Sequence, residues 1–460
     1  MSSAINTSAN EGLDDIRGQV ITPDDAGYDQ ARTVFYGSVN KRPNAIVRVE
    51  GVTDVQHVIA AARERGLELA IRSGGHSIAG HSTTDGGIVL DLRSMNQIEI
   101  DTADRTAWVG TGATALQVTE AATKHGLVLG FGDAGSVGVG GITLGGGIGF
   151  LVRKWGLTID SLLAAEIVTA QGEHLRVDAA NHPDMFWAIR GGGGNFGVVT
   201  RLKFQLHEMP QFTGGILVLP ATPETIAGFV AASLAAPDEL STIGNVMPCP
   251  PLPFVPPEVH GRLVIFGMIA YAGDDESAKR AIAPLRALAT PIADTVKPMP
   301  YAAMYPPEDP NMHPTAIGRT LFLDDVDQAT AETMYEHLMS SDAAVRVTQL
   351  RVLGGAAARV PADATAYAHR AKRILVNVAA FYTTPEDREV RERWVTEFAR
   401  TLQPNDESGY VGFLSNEGEA RVRGAYPGRT WDRLTKIKAE YDPTNLFRLN
   451  QNVTPAAAVS

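Results

Sequence analysis

The chain is short of several things, and each shortage excludes something. It has one cysteine, Cys249, in 460 residues. No intramolecular disulfide can form, so packing alone must hold the fold, and a reducing cytoplasm is the expected compartment. No apolar run approaches the ~20 residues that a membrane helix needs. The first twenty residues are polar and lack a signal-peptide core. Cationic residues are outnumbered, 40 Lys and Arg against 52 Asp and Glu, for a net charge of −12. That argues against nucleic acid as the partner, because phosphate contact needs clustered Lys and Arg. It leaves room for one phosphorylated small molecule held by backbone groups. The histidines show no metal-ligand spacing, and no H-E-x-x-H is present. The Walker A lysine motif and the G-x-S-x-G nucleophile elbow are missing too, which argues against a P-loop NTPase and a serine hydrolase.

Glycine is what the chain has in plenty, and the 46 glycines are spread unevenly, crowding into the first two hundred residues. A chain of this length exceeds one ordinary core, so two domains are expected. The opening segment reads as βαβ. Residues 45–50 form an apolar strand, Thr53 and Gln56 a capping box, Val55, Val58, Ile59 and Ala62 one helical face, and residues 67–71 the returning strand. Then come the run GGIVLDL, a hairpin at 97–109, a helix opened by Thr114 with Gln117, a second hairpin turning at Gln171-Gly172, and a long strand over 197–207. Near Glu208 the texture changes. Strands at 216–219, 263–271, 345–352 and 373–382 alternate with amphipathic helices near 222–235, 275–288, 328–341 and 385–402. The Pro-rich run MPCPPLPFVPP reads as a loop. The tail from Arg429, with a helix over 431–441, has no core of its own and must dock elsewhere.

Three glycine-rich sites stand out. Arg72-Ser73-Gly74-Gly75-His76-Ser77 follows a strand. From these six residues alone, a backbone anion cradle and a plain strand-to-strand turn both stand. Residues 132–149 are denser in glycine, but Val, Ile and Leu are interleaved. That pattern favours a packed loop against a large cofactor over a flexible linker, because ordering so much glycine costs entropy. Residues 190–197 contain a formal G-x-G-x-x-G. It follows a helix and precedes a strand, the reverse of a Rossmann motif, so NAD is not indicated.

The segments RSGGHS, SVGVGGITLGGGIGF, PDMFWAIRGGGGNFGVVT and YDPTNLFRLNQN, in that order, resemble the berberine bridge enzyme-like branch of the vanillyl-alcohol-oxidase flavoproteins. The layout is similar to that of bacterial hydroxynicotine oxidases. The resemblance implies an α+β fold: a two-part FAD-binding domain of the PCMH type with an inserted substrate domain, whose antiparallel sheet is backed by helices. The expected limits are 1–207 and 409–460 for the FAD-binding domain and 208–408 for the substrate domain. It also implies that His76 is bonded to the flavin and that Arg72, Ser73, Gly74, Gly75 and Ser77 form the pyrophosphate loop. Gly138, Gly140, Gly141, Gly145, Gly146 and Gly147 would lie under the cofactor, Asn450 and Asn452 would approach its ring, and Val137 would gate oxygen. Many members of the family attach the flavin a second time through a cysteine, and the matching position here is Ala134. A single covalent link through His76 is therefore expected.

The chemistry so implied is an oxidase reaction. Hydride passes from a small alcohol, sugar or hydroxylated metabolite to FAD, and molecular oxygen then takes the electrons as hydrogen peroxide. A dehydrogenase, an oxidative cyclase and a non-catalytic flavin carrier are the alternatives. The proton acceptor is expected among Gln349 and Arg351, alternate residues on one strand face, and Tyr426, whose phenol would need Arg351 nearby to ionise near neutral pH.

Overall fold

The computed structural model describes residues 12–404 and 407–457. Part of the segment read for a leader, residues 1–11, lies outside the described residues. In the described part no helix is long and apolar enough to cross a membrane.

The first sheet has the strand order Gln19–Ile21, Ala45–Arg48, Ile88–Asp91, Leu69–Arg72. The helix Val52–Glu64 links the second of these to the fourth and buries Val55, Val58, Ile59 and Ala62. Ile88–Asp91 inserts between them, parallel to both, and all four of its residues are buried, as expected of a strand covered on both faces. The helix does not start as its local sequence reads. Gly51 is the N-cap, and Thr53 makes no cap. Asp54 instead turns its buried carboxylate on the backbone N–H groups of Arg17, Gly18 and Glu50, so long-range partners override the local capping box. The next helix, Ala115–Thr123, does carry the Thr114–Gln117 capping box, and Gly126 lies just beyond its end in the left-handed region.

The second sheet is antiparallel: Ile98–Asp101, Thr106–Gly110, Val198–Gln205, Leu162–Val168, His174–Asp178. Both expected hairpins are in it. Leu202, Phe204 and, just past the strand, Leu206 are buried.

The middle of the chain builds an eight-stranded antiparallel sheet. Its centre contains Leu240–Pro248, and one edge is Ala316–Leu323, two strands not singled out in the sequence. The helices Pro223–Ala235, Asp275–Arg286, Gln328–Ser340 and Pro385–Leu402 cover one face, where Leu217, Val246, Ile269, Leu350, Val376 and Phe398 are buried in one cluster. Each such side chain stabilises the fold by roughly 1.5–3 kcal/mol. Asn245, Gln349, Arg351, Leu375 and Asn377 alternate onto the opposite face, which meets the N-terminal part. The Pro-rich run is loop only after Met247 and Pro248, which end the strand Leu240–Pro248, and Cys249 within it is buried with Val218 and Val264.

The tail docks on the N-terminal part. Leu434, Ile437 and Val453 share a core with Val109, Leu202 and Phe204. Leu446 and Phe447 join Val47 and Leu90. A fully buried ion pair fixes the approach. Lys438 Nζ donates to Asp442 Oδ2 at 2.7 Å, to Asn195 O at 2.7 Å and to Phe447 O at 3.0 Å. Lys438→Met would leave the Asp442 carboxylate buried without its cation, a change that typically costs about 3–5 kcal/mol. Urea unfolding should show that loss, and a loss below about 1 kcal/mol would mean the pair does not anchor the tail.

Candidate functional site

The strand Leu69–Arg72 runs directly into the Ser73–Ser77 turn. Arg72 is buried with its guanidinium turned away from the turn, donating to the carbonyls of Ala31, Arg32 and Ser82. Burial pulls its pKa down to about 10. Its side chain thus braces the turn from behind, so an anion at this turn would meet the backbone of 73–77 and not the Arg72 guanidinium. Ser73 Oγ donates to Thr111 O at 2.6 Å. A Cβ on Gly74 would stand 2.2 Å from Gly138 N, and one on Gly138 would stand 2.1 Å from Gly74 N. The first two glycine sites therefore touch backbone to backbone, which any larger residue would prevent.

His76 sits at this junction. Its ring stacks on Phe35 with centroids 4.1 Å apart, and its Nε2 lies 2.9 Å from Ser136 Oγ. Burial lowers its pKa and so favours the neutral ring, although Glu308 opposes the shift. Ser77 Oγ accepts from His81 N.

The second glycine site is not all loop, because residues Val139–Gly145 form a short helix. Gly141 faces open space, and Gly145 lies under Val411 and Gly412. Gly146 and Gly147 take positive φ, and Gly147 N donates to the Tyr410 hydroxyl at 3.0 Å. Val137 packs partly buried against the core. The third glycine site serves packing. Gly191 N and Gly193 N both donate to Leu144 O, and a Cβ on Gly191 would stand 2.5 Å from Tyr367 N. Asn195, not singled out from sequence, clamps the tail: its Nδ2 donates to Gln451 O and its Oδ1 accepts from Val453 N. On either side of Gln451, the Oδ1 atoms of Asn450 and Asn452 are buried with no hydrogen-bond partner. Buried acceptors rarely stay unpaired, so two adjacent ones fit a polar group that arrives with a cofactor.

The sheet face closes the site from the other side. Arg351 Nε donates to Gln349 Oε1 at 2.8 Å, and Gln349 Nε2 donates to Asn245 Oδ1 at 2.8 Å. Arg351 also donates to Ile148 O at 3.1 Å and to Asp133 Oδ2 at 2.7 Å, with its guanidinium over the Phe413 ring. Neither Gln349 nor Arg351 is an uncommitted base. The carboxylate that meets the sheet face is Asp133, which lies inside a glycine run 218 residues from its partner and has no local sequence signal.

The expected meeting of Tyr426 and Arg351 does not occur. Tyr426 is buried in the N-terminal core, its hydroxyl has no partner, and burial raises its pKa well above the ordinary 10. Arg351 faces Tyr410 instead. That phenol is pushed up to about 12 by burial, with the Gly147 N–H and Arg351 pulling the other way. A cavity of about 340 Å³ opens beside Ile78, two residues beyond His76, and is lined also by Lys41, Gly318, Arg319 and Asn416. A Cβ on Gly318 would reach Ile78 and the Asn377 amide, so the cavity borders the polar face of the sheet. Among the described residues no group of three His, Cys, Asp or Glu could hold a metal ion.

The backbone glycine contacts and the unpaired acceptors fit a large bound cofactor, and comparison with known proteins identifies it as FAD. Residues 43–178 match the model of the FAD binding domain, and residues 409–454 match that of berberine and berberine-like proteins. The chain is 33% identical to (R)-6-hydroxynicotine oxidase of Paenarthrobacter nicotinovorans over 457 residues, 96% of this chain and 97% of that one. The crystal structure of 6-hydroxy-D-nicotine oxidase from Arthrobacter nicotinovorans superposes with a TM-score of 0.85 at 29% identity, covering 96% and 98% of the two chains. Glucooligosaccharide oxidase from Acremonium strictum, described as holding a 6-S-cysteinyl, 8α-N1-histidyl FAD, shares the fold with a TM-score of 0.86 at 22% identity, covering 98% and all of the two chains. The chain belongs to the berberine bridge enzyme-like FAD-linked oxidoreductases.

Proposed function

We propose that this oxidoreductase is an oxidase that carries its FAD on His76 alone and oxidises a small organic molecule. The observation that carries this reading is the His76 ring itself: stacked, kept neutral by burial, with Nε2 committed to Ser136 and Nδ1 left for the flavin. With Ala134 in the glycine loop and Cys249 buried elsewhere, no second attachment is available. When bound, FAD accepts a hydride from substrate carbon and yields its electrons to molecular oxygen.

The chain's own residues supply the rest. The backbone of 73–77 and of 138–147 would hold the cofactor, and Asn450 and Asn452 would hydrogen-bond its polar edge. Asp133 is proposed as the proton acceptor. Its Oδ2 is pinned by Arg351, which Gln349 steadies in turn, while its Oδ1 has no hydrogen bond among the described residues. Arg351 and Gln349 thus act as positioning residues. The cavity beside Ile78 is the proposed way in for substrate, an alcohol, sugar or hydroxylated metabolite. A reducing cytoplasm as the compartment rests on the single buried cysteine.

A library of alcohols, sugars and amines, screened for peroxide release, tests the oxidase reading. A substrate that reduces the flavin without releasing peroxide would favour the dehydrogenase reading. Val137 offers an independent test, because it precedes the Gly138 contact and a leucine there would crowd the approach of oxygen. In Val137→Leu, stopped-flow mixing of reduced enzyme with oxygen should show slowed reoxidation and unchanged anaerobic reduction. An unchanged oxygen rate would remove Val137 as the gate.

A further inference from the structure

We infer that Ser136 and Glu308 form the proton outlet that makes His76 competent for covalent attachment, an inference that rests on His76 being the attachment point. Ser136 Oγ lies 2.9 Å from His76 Nε2 and is also hydrogen-bonded to Glu308 Oε2. Glu308 Oε1 accepts from Ser136 N at 3.1 Å, so one carboxylate grips the serine twice. A carboxylate can only accept, so the serine O–H donates to Glu308 and its oxygen must accept from Nε2–H. That fixes the tautomer and leaves the lone pair on Nδ1. The Phe35 stack sets the plane of the ring.

The chemistry needs such an outlet. Attachment forms a bond from Nδ1 to the 8-methyl carbon of the flavin and breaks one C–H bond of that methyl. Nitrogen becomes cationic as it bonds, and the Nε2 proton must leave. The Ser136–Glu308 chain takes it. In all, the methyl and Nε2 would each lose one proton; the two electrons would reduce the flavin ring, whose own nitrogens would take up the methyl proton. Molecular oxygen, the oxidant of the proposed reaction, then restores the ring and leaves as hydrogen peroxide.

Glu308 lies on a loop of the middle segment that rests on the N-terminal part. Gly37 N donates to Pro314 O at 3.1 Å, and a Cβ on Gly37 would stand 2.6 Å from His313 O. Attachment should therefore depend on the docking of both parts of the chain.

The test uses full-length protein from riboflavin-starved cells, mixed with FAD in air. Flavin fluorescence retained by acid-precipitated protein is followed over time, and non-covalent FAD affinity is measured in parallel. Loss of a general base typically costs ~10²–10⁴-fold, so Glu308→Gln and Ser136→Ala should attach flavin at least ~100-fold more slowly while binding FAD normally. Glu308→Asp should recover much of the rate, and acetate should partly rescue Glu308→Ala. Attachment by Glu308→Gln within a few-fold of wild type overturns the inference. So does slow attachment that neither aspartate nor acetate restores, because that marks a loop contact only. If wild type itself retains no flavin, the His76 reading fails first and the inference falls with it.

Discussion

In His76→Ala, acid should release all of the flavin, whereas wild type should stay yellow through precipitation. The expected effect is all or none, because Ala134 and the buried Cys249 leave no cysteine at the glycine loop for a second attachment. The variant should still fold. His76 gives the core little beyond its stack on Phe35 and its bond to Ser136, and the backbone contacts of Gly74 with Gly138 do not involve its ring. Non-covalent FAD should therefore remain bound under native conditions. Peptide mapping of wild type should place flavin on the peptide containing His76 and on no other. Flavin on a second peptide would contradict the single link, and flavin that washes out of denatured wild type would contradict the link altogether.

Asp133→Asn should produce two losses that can be separated. Arg351 is 5% exposed and Asp133 24% exposed, and the pair joins the glycine loop to the sheet face. Taking the charge from one partner strands a buried guanidinium, which costs about 3 kcal/mol at the lower end for buried pairs. If Asp133 accepts the substrate proton, anaerobic flavin reduction should also fall by ~10²–10⁴-fold. Arg351→Met is the control: it keeps the carboxylate, loses the pair, and should slow reduction less than Asp133→Asn does. A double-mutant cycle then reads the coupling between them. Reduction by Asp133→Asn within a few-fold of wild type would leave the ion pair structural only. In parallel, Tyr426→Phe should reduce at close to the wild-type rate, since its hydroxyl is buried, raised in pKa and apart from Arg351.

What the sequence made legible was largely local or carried by motifs. The Thr114–Gln117 capping box needs four residues and formed as read. The alternation of Leu202, Phe204 and Leu206 marks a half-buried strand whatever its neighbours are. The glycine sites were readable as close approaches because the number of glycines needs a physical reason, although nothing local said that Gly74 and Gly138 face each other. Where tertiary partners decide, the reading failed. Thr53 and Gln56 looked like a cap until Asp54 found Arg17 and Gly18. Leu240–Pro248 was missed because Ser241, Gly244 and Asn245 break the apolar pattern, and its place at the centre of a sheet is set by its partners. Asp133 was invisible as a site carboxylate because its cation is 218 residues away. Tyr426 as a proton acceptor needs Arg351 nearby, a long-range contact that local sequence does not encode, and the phenol that Arg351 faces is Tyr410, sixteen residues earlier in the chain.

The central claim, that this chain passes hydride from a small organic molecule to a histidine-linked flavin and then electrons to oxygen, is tested most directly by one stopped-flow experiment. Wild-type enzyme is mixed anaerobically with a substrate drawn from the peroxide screen and then with oxygen. The visible flavin band should bleach in a single turnover and return rapidly on oxygenation, with peroxide released in proportion to the flavin reoxidised. A flavin that no alcohol, sugar or amine bleaches, or one that bleaches and stays reduced in oxygen, would contradict the account.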